Sequence, residues 1–139
     1  MKISDFELIM LLRKNARMSF IEIAKRFGVS DTAVRKRIKK LESEGVILKY
    51  TIEVDPKKLG FNAVAIIGVD TLPEYYVSLM NKFKGMDEVV SLYATTGDHM
   101  MLLECWFRSS DELTNFVEML RNMEGVKRVC PAIILEKIK

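Results

Sequence analysis

Along the first third of the chain, apolar residues recur with a helical period. Leu8, Ile9, Leu11 and Leu12 mark one face over residues 4–15, and Ile23, Ala24 and Phe27 another over 19–27. Val34, Ile38 and Leu41, at i, i+4 and i+7, mark a third over 31–44. Each run follows a serine placed to cap it: Ser4, Ser19 and Ser30. At the first two an acid stands three places on, Glu7 and Glu22, so the pattern predicts capping boxes. Gly28-Val29-Ser30 leaves room only for a tight turn, and Gly45 stops the third run. Three short helices with brief links predict a compact helix-turn-helix or winged-helix module.

Past Gly45 the period changes. Residues 46–55 (VILKYTIEVD) read as an extended segment closed by Pro56, and 57–60 as a short turn. Strand and helix candidates then alternate: 63–71, 73–83, 99–108 and 111–123. The stretch FKGMDEVV at 83–90 is echoed by MEGVKRVC at 123–130, an offset of 40 residues. Each copy is a helix end, a glycine and a strand start, which predicts strand–helix–strand twice. The fold class is therefore α+β. An N-terminal three-helix helix-turn-helix domain (1–45) precedes an extended linker (46–60) and a C-terminal ferredoxin-like βαββαβ domain (61–139).

Two helices cover only one face of a four-stranded sheet, yet the strand candidates are apolar on both. Met101, Leu103, Cys105 and Phe107 point one way, Met100, Leu102 and Trp106 the other. Ala63, Ala65, Ile67 and Val69 likewise oppose Val64 and Ile66. A bare apolar face is expected to pack on a second subunit. A homodimer also suits a helix-turn-helix, whose two readers address half-sites about 34–36 Å apart.

Charge sharpens the picture. Net charge is only +3, but residues 1–60 carry 14 Lys+Arg against 8 Asp+Glu, and residues 61–139 carry 8 against 11. The third helix packs five cations into six positions: Arg35, Lys36, Arg37, Lys39 and Lys40. Thr32, Arg35, Lys36 and Lys39 lie opposite the Val34/Ile38/Leu41 stripe, and residues 30–36 sit where base edges are normally reached. The candidate contacts to double-stranded DNA are Ser30, Asp31, Thr32, Ala33, Arg35, Lys36, Arg37, Lys39 and Lys40. The alternative is a merely solvated face. Arg37, nearer the stripe, equally suits a structural ion pair with a nearby Glu.

Other chemistry is sparse. One His and two Cys, far from any CxxC spacing, leave no dedicated metal site, and Cys105 and Cys130 read as reduced thiols in apolar surroundings. No glycine-rich phosphate loop and no His/Asp/Ser set is present, so neither an enzyme nor a cofactor is expected. No signal-peptide pattern appears, and the longest uncharged run (59–69) falls short of the roughly 20 residues a membrane helix needs, which points to the cytoplasm. The run Thr95-Thr96-Gly97-Asp98-His99 reads as a hairpin turn with Gly97 at positive φ. It also suits a small-ligand cradle, its hydroxyls and backbone N–H groups facing a carboxylate and Asp98 an ammonium.

Residues 37–60, RIKKLESEGVILKYTIEVDPKKLG, resemble the signature of the Lrp/AsnC (leucine-responsive, or feast/famine) transcription regulators. In that signature a reading helix ending RIxxLExxGVI leads into a Y-x-x-x-x-DPxxLG linker. The second half resembles the family's amino-acid-binding regulatory and oligomerisation domain, so the likeness spans essentially the whole chain. It implies dimers joined through the sheet face, assembly into octamers or larger discs, and DNA wrapping. It also implies an amino-acid effector held between dimers, near the Thr95–His99 turn. By position Thr95, Thr96, Gly97 and Asp98 match the effector loop, with His99 and Met100 beside them. Relatives often carry a second Asp where Met100 stands, and two Thr where the last strand has Val129 and Pro131, so this pocket is less polar than usual. The function implied is a sequence-specific DNA-binding regulator responsive to an amino acid or related small molecule. One rival is an architectural DNA binder without an effector. Another is a siroheme-decarboxylase-like enzyme subunit, similar in both halves. Its tetracarboxylate substrate calls for clustered cations and His, and the second half is net negative with a single His.

Overall fold

The structure, a computed structural model, describes residues 3–139. They form two compact units, one ending at Glu53 and the other running from Val54 to Lys139.

The first unit contains α1 (Asp5–Lys14), α2 (Phe20–Phe27) and α3 (Asp31–Ser43). Serines cap all three as the sequence predicts: Ser4, Ser19 and Ser30 each accept a backbone N–H three residues on, at 3.1–3.3 Å. The full capping box closes only at Ser19, where Glu22 also accepts the Ser19 N–H at 3.0 Å. At Ser4 only the forward bond forms. Gly28 turns the chain between α2 and α3 at φ 65°, where a Cβ would be strained. At the end of α3 the N–H of Val46 reaches the Leu41 carbonyl and that of Gly45 the Glu42 carbonyl, a Schellman close. Leu8, Ile23, Ala24, Val34, Ile38 and Leu41 form a common core with Ile3. The α3 stripe is therefore what docks the helix and fixes which side faces out.

The segment between the modules divides between the two units. Ile47 packs against the first core, and Tyr50 lines a cleft with Leu12, Phe20 and Ile38. Residues 48–55 form no regular strand. After them Pro56–Leu59 makes a 3₁₀ turn tied to the second unit, Lys57 Nζ donating to the Leu135 carbonyl at 3.0 Å.

The second unit runs β1 (Ala63–Thr71), a 3₁₀ turn at Pro73–Tyr75, α4 (Tyr76–Lys84), β2 (Val89–Ala94), β3 (Met101–Phe107), α5 (Ser110–Arg121) and β4 (Val126–Ile133). The sheet is antiparallel in the order β2-β3-β1-β4, the ferredoxin-like arrangement expected. The helix expected over 73–83 begins with that 3₁₀ turn. The two glycines of the repeat differ in conformation, Gly85 at φ −88° and Gly125 at φ 89°. One sheet face holds the core: Ala65, Ile67, Val69, Met101, Leu103 and Cys105 pack against Leu79 and Phe83 of α4 and Phe116, Val117 and Leu120 of α5. The opposite face carries Ile66, Leu102, Trp106 and Cys130, half-buried within the single chain. That face is partly covered. The rings of Phe61 and Trp106 meet in a tilted contact at 5.5 Å, and Arg108 lies over Phe61 at 4.0 Å. Both cysteines are free. Burial, helped by Glu88 and Glu104, pushes the Cys105 thiol up to about 12, so it stays an inert core residue. No helix among the described residues is long and apolar enough to cross a membrane.

Candidate DNA-reading helix and effector loop

With Val34, Ile38 and Leu41 buried, the opposite side of α3 is left to solvent: Asp31, Thr32, Arg35, Lys36, Lys39 and Lys40 are all exposed. The nine sequence candidates nevertheless divide by what they touch. The Ser30 hydroxyl is engaged as the N-cap, and Ala33 is half-buried against the core. The Arg35 guanidinium lies 4.9 Å from the Phe20 ring centroid, so an α2 aromatic steadies it. Arg37 is held by Asp5 of α1 at 3.1 Å: the structural pair forms, with an Asp rather than a Glu. Lys40 sits 3.8 Å from Glu44, one turn on. Among the described residues Lys36 and Lys39 have no partner. With Thr32 they form an i, i+4, i+7 row of exposed donors along the helix.

The second site is the loop between β2 and β3. It folds as the hairpin read from the sequence: the Thr95 N–H bonds the Met100 carbonyl at 3.0 Å, and Gly97 takes φ 89°. The Thr95 hydroxyl donates to the His99 carbonyl at 2.7 Å. Thr96, Gly97 and Asp98 are exposed at the tip, while His99 and Met100 turn back onto the sheet. The His99 ring lies over Gly68 of β1, in the space a side chain there would fill.

Two residues that sequence reasoning did not single out organise this loop. Asp70, at the end of β1, is 15% exposed and is bonded three times. His99 Nδ1 lies 3.0 Å from its carboxylate, the Met100 N–H donates to it at 2.9 Å, and Arg128 Nε of β4 donates at 2.9 Å. Burial pushes this carboxyl up, but hydrogen bonds from His99, Arg128 and the Met100 N–H, with the Arg128 charge, outweigh it and hold it below the usual range. Arg128 also reaches the loop tip, Nη2 donating to the Asp98 carbonyl at 2.6 Å and to its carboxylate at 3.3 Å. Its own pKa is raised by bonding to Asp70 and Asp98. The legible signal for Asp70 was a lone carboxylate closing an apolar strand, AVAIIGVD; Arg128 carried none. Val129 is buried in the core, and Pro131 is tolerated because β4 is an edge strand. Among the described residues no group of His, Cys, Asp and Glu is placed to hold a metal ion.

Residues 1–47 match the winged helix-turn-helix DNA-binding family, and residues 64–139 match the Lrp/AsnC ligand binding domain. The HTH-type transcriptional regulator LrpA of Pyrococcus horikoshii is 47% identical over 97% of this chain and 96% of its own. Among solved structures, AsnC of E. coli superposes with a TM-score of 0.84 at 28% identity, covering 100% of this chain and 96% of that one. A feast or famine regulatory protein from M. tuberculosis, complexed with L-methionine, superposes with a TM-score of 0.87 at 27% identity, covering 97% and 92%. Fold, motif and similarity thus agree over both units, and the chain belongs to the Lrp/AsnC family of helix-turn-helix transcriptional regulators.

Proposed function

We propose that residues 30–40 bind operator DNA and that the loop at 95–100 holds an amino-acid effector in a cytoplasmic homo-oligomer. The observation that carries the first part is the row Thr32, Lys36 and Lys39, exposed and, among the described residues, unpaired opposite the stripe that docks α3. Asp31, at the exposed N-terminal end with Thr32, lies where base edges are read, and Arg35, Lys36, Lys39 and Lys40 supply phosphate charge. Arg37 contributes by holding α1 against the reader.

Two features support self-association. The half-buried sheet face with Ile66, Leu102 and Trp106 favours a dimer. Val46, Leu48, Tyr50, Ile52 and Val54 are exposed at every second position, the pattern of a strand awaiting a partner. Dimers assembling further would place the loops of neighbouring copies together.

The relative from M. tuberculosis complexed with L-methionine supports an amino acid as the effector class. One observation favours the rival reading, an architectural binder without effector. Asp98, the group suited to an ammonium, is already engaged by Arg128, and Met100 replaces a second carboxylate. Calorimetric titration with each of the twenty amino acids decides between them: at least one saturable binder is expected, and a flat response to all removes the effector. For the DNA reading, anisotropy titrations of duplex binding against salt should give a log–log slope of about −0.9 per phosphate contacted. A slope near zero removes it.

A further inference from the structure

Beside the effector loop, on the edge strand, lies a cleft of about 330 Å³ lined by Arg121 of α5 and by Val126, Lys127, Arg128 and Val129 of β4. Three of its five lining residues are cations and none is acidic. Consecutive strand residues normally point to opposite faces, so Lys127 and Arg128 should not share a cleft. A bulge brings them together. Arg128 stands opposite Asp70 and Val126 opposite Thr71, leaving Lys127 as the extra residue. Across the same bulge the buried Thr71 hydroxyl finds no partner among the described residues.

The carboxylates near this cleft only steady two of its cations. Arg121 is held by Glu118 at 2.9 Å and lies within 3.4 Å of the Val129 carbonyl. Arg128 is held by Asp70 and Asp98 through Nε and Nη2, which leaves its Nη1 free among the described residues. Lys127 is exposed and has no partner among the described residues. An edge-strand bulge that gathers a free ammonium and two oriented guanidinium groups around a small concavity is built for an oxyanion. We infer that this cleft binds a small dianion, a dicarboxylate or a phosphate, and that its occupancy reaches the effector loop through Arg128. The cleft adjoins the amino-acid cradle and shares Arg128 and Val129 with it, and the other bonds of Arg128 run to the Asp98 carbonyl and carboxylate and to Asp70. An anion drawing on Arg128 weakens its hold on Asp98 and alters the setting of His99, 3.4 Å from the same guanidinium.

The chain has one histidine, so its ring protons give one set of NMR signals that report on this loop. The full-length protein is titrated with inorganic phosphate, succinate and L-methionine at ionic strength held constant with sodium chloride. Phosphate or succinate, whichever is the fitting class, should move the His99 signal saturably. Lys127→Gln should weaken that binding about tenfold, the loss of one charged contact. Being an exposed substitution, it should leave the melting temperature within about 2 °C. L-Methionine binding, where it occurs, should be unchanged by Lys127→Gln, so the effector reading stands or falls separately. A His99 signal that follows sodium chloride alone, or equal anion affinity in Lys127→Gln and the parent, overturns the inference.

Discussion

On α3 two of five cations, Lys36 and Lys39, face solvent with no partner among the described residues, whereas around Asp70 the charged groups hold one another. The difference is one of solvation. An exposed ammonium is already stabilised by water, so leaving it unpaired costs the fold nothing and keeps it available to a polyanion. A carboxylate that is only 15% exposed has lost most of its water and must be compensated within the protein, here by His99, Arg128 and the Met100 N–H. The two open charges on α3 are free to meet a polyanion, whereas the Asp70 carboxylate is closed into a network that holds the loop.

The contrast is tested most strongly by removing both open cations. Lys36→Ala with Lys39→Ala should lower duplex affinity about a hundredfold near physiological salt, about tenfold for each charged contact. The salt slope should shrink by about 2, and thermal stability should hardly move. Anisotropy titrations at several salt concentrations read all of this. A double variant that melts lower but binds normally would place Lys36 and Lys39 among the architectural charges.

Asp70→Asn attacks the other side. It keeps the shape but removes the charge that three donors address, and should destabilise the second unit by roughly 2 kcal/mol in denaturant unfolding. The DNA salt slope should stay that of the parent. The pH dependence carries a sign. Because the folded Asp70 pKa lies below its unfolded value near 3.9, the parent has this stabilisation in full above about pH 5. It loses it as pH falls through the folded pKa. The Asn variant should therefore show a shallower acid limb, and parallel limbs would mean that Asp70 is not the carboxylate under load.

These two regions were unequally legible in the sequence. The α3 face follows from local spacing: Val34, Ile38 and Leu41 fix the buried side, and everything basic is then outward by geometry. The strand bounds of β1 followed equally well, since its apolar run is closed by Asp70 and Thr71. The Asp70–His99–Arg128 network joins residues 29 and 58 positions apart, and only strand pairing brings them together. The partner of Arg37 escaped for the same reason. The acids near it in sequence are Asp31, Glu42 and Glu44, but helix crossing presents Asp5. The Lys127 bulge is likewise a product of register, its trace in the sequence being the adjacent pair Lys127-Arg128 that breaks the alternation of the strand.

A smaller effect checks whether the open face depends on how the helix begins. Ser30→Ala removes the N-cap that accepts the Ala33 N–H at 3.1 Å, at the end of α3 proposed to meet base edges. It should cost about 1 kcal/mol of stability in the first unit. If Ser30 acts only as a cap, Ser30→Asp should restore that stability, since Asp caps equally well. Its added negative charge should at the same time weaken DNA binding. Recovery of both stability and affinity would put the N-terminus of α3 away from the phosphates.

The finest test concerns Arg37, an α3 cation paired across helices much as the charges around Asp70 are paired across strands. Its side chain is 24% exposed and its partner Asp5 48%, so the pair is partly solvated and its coupling should be modest, about 0.5 kcal/mol in a double-mutant cycle of Arg37→Ala and Asp5→Ala. The informative quantity is DNA binding by the two single variants. If Arg37 holds α1 against the reader, Asp5→Ala and Arg37→Ala should reduce affinity by similar small factors and leave the salt slope unchanged, because no phosphate contact is lost. If Arg37 itself reaches the backbone, Arg37→Ala should lower the slope by about 1. Asp5→Ala, which frees the guanidinium, should then raise affinity. Opposite responses of the two variants would move Arg37 from the closed charges to the open ones.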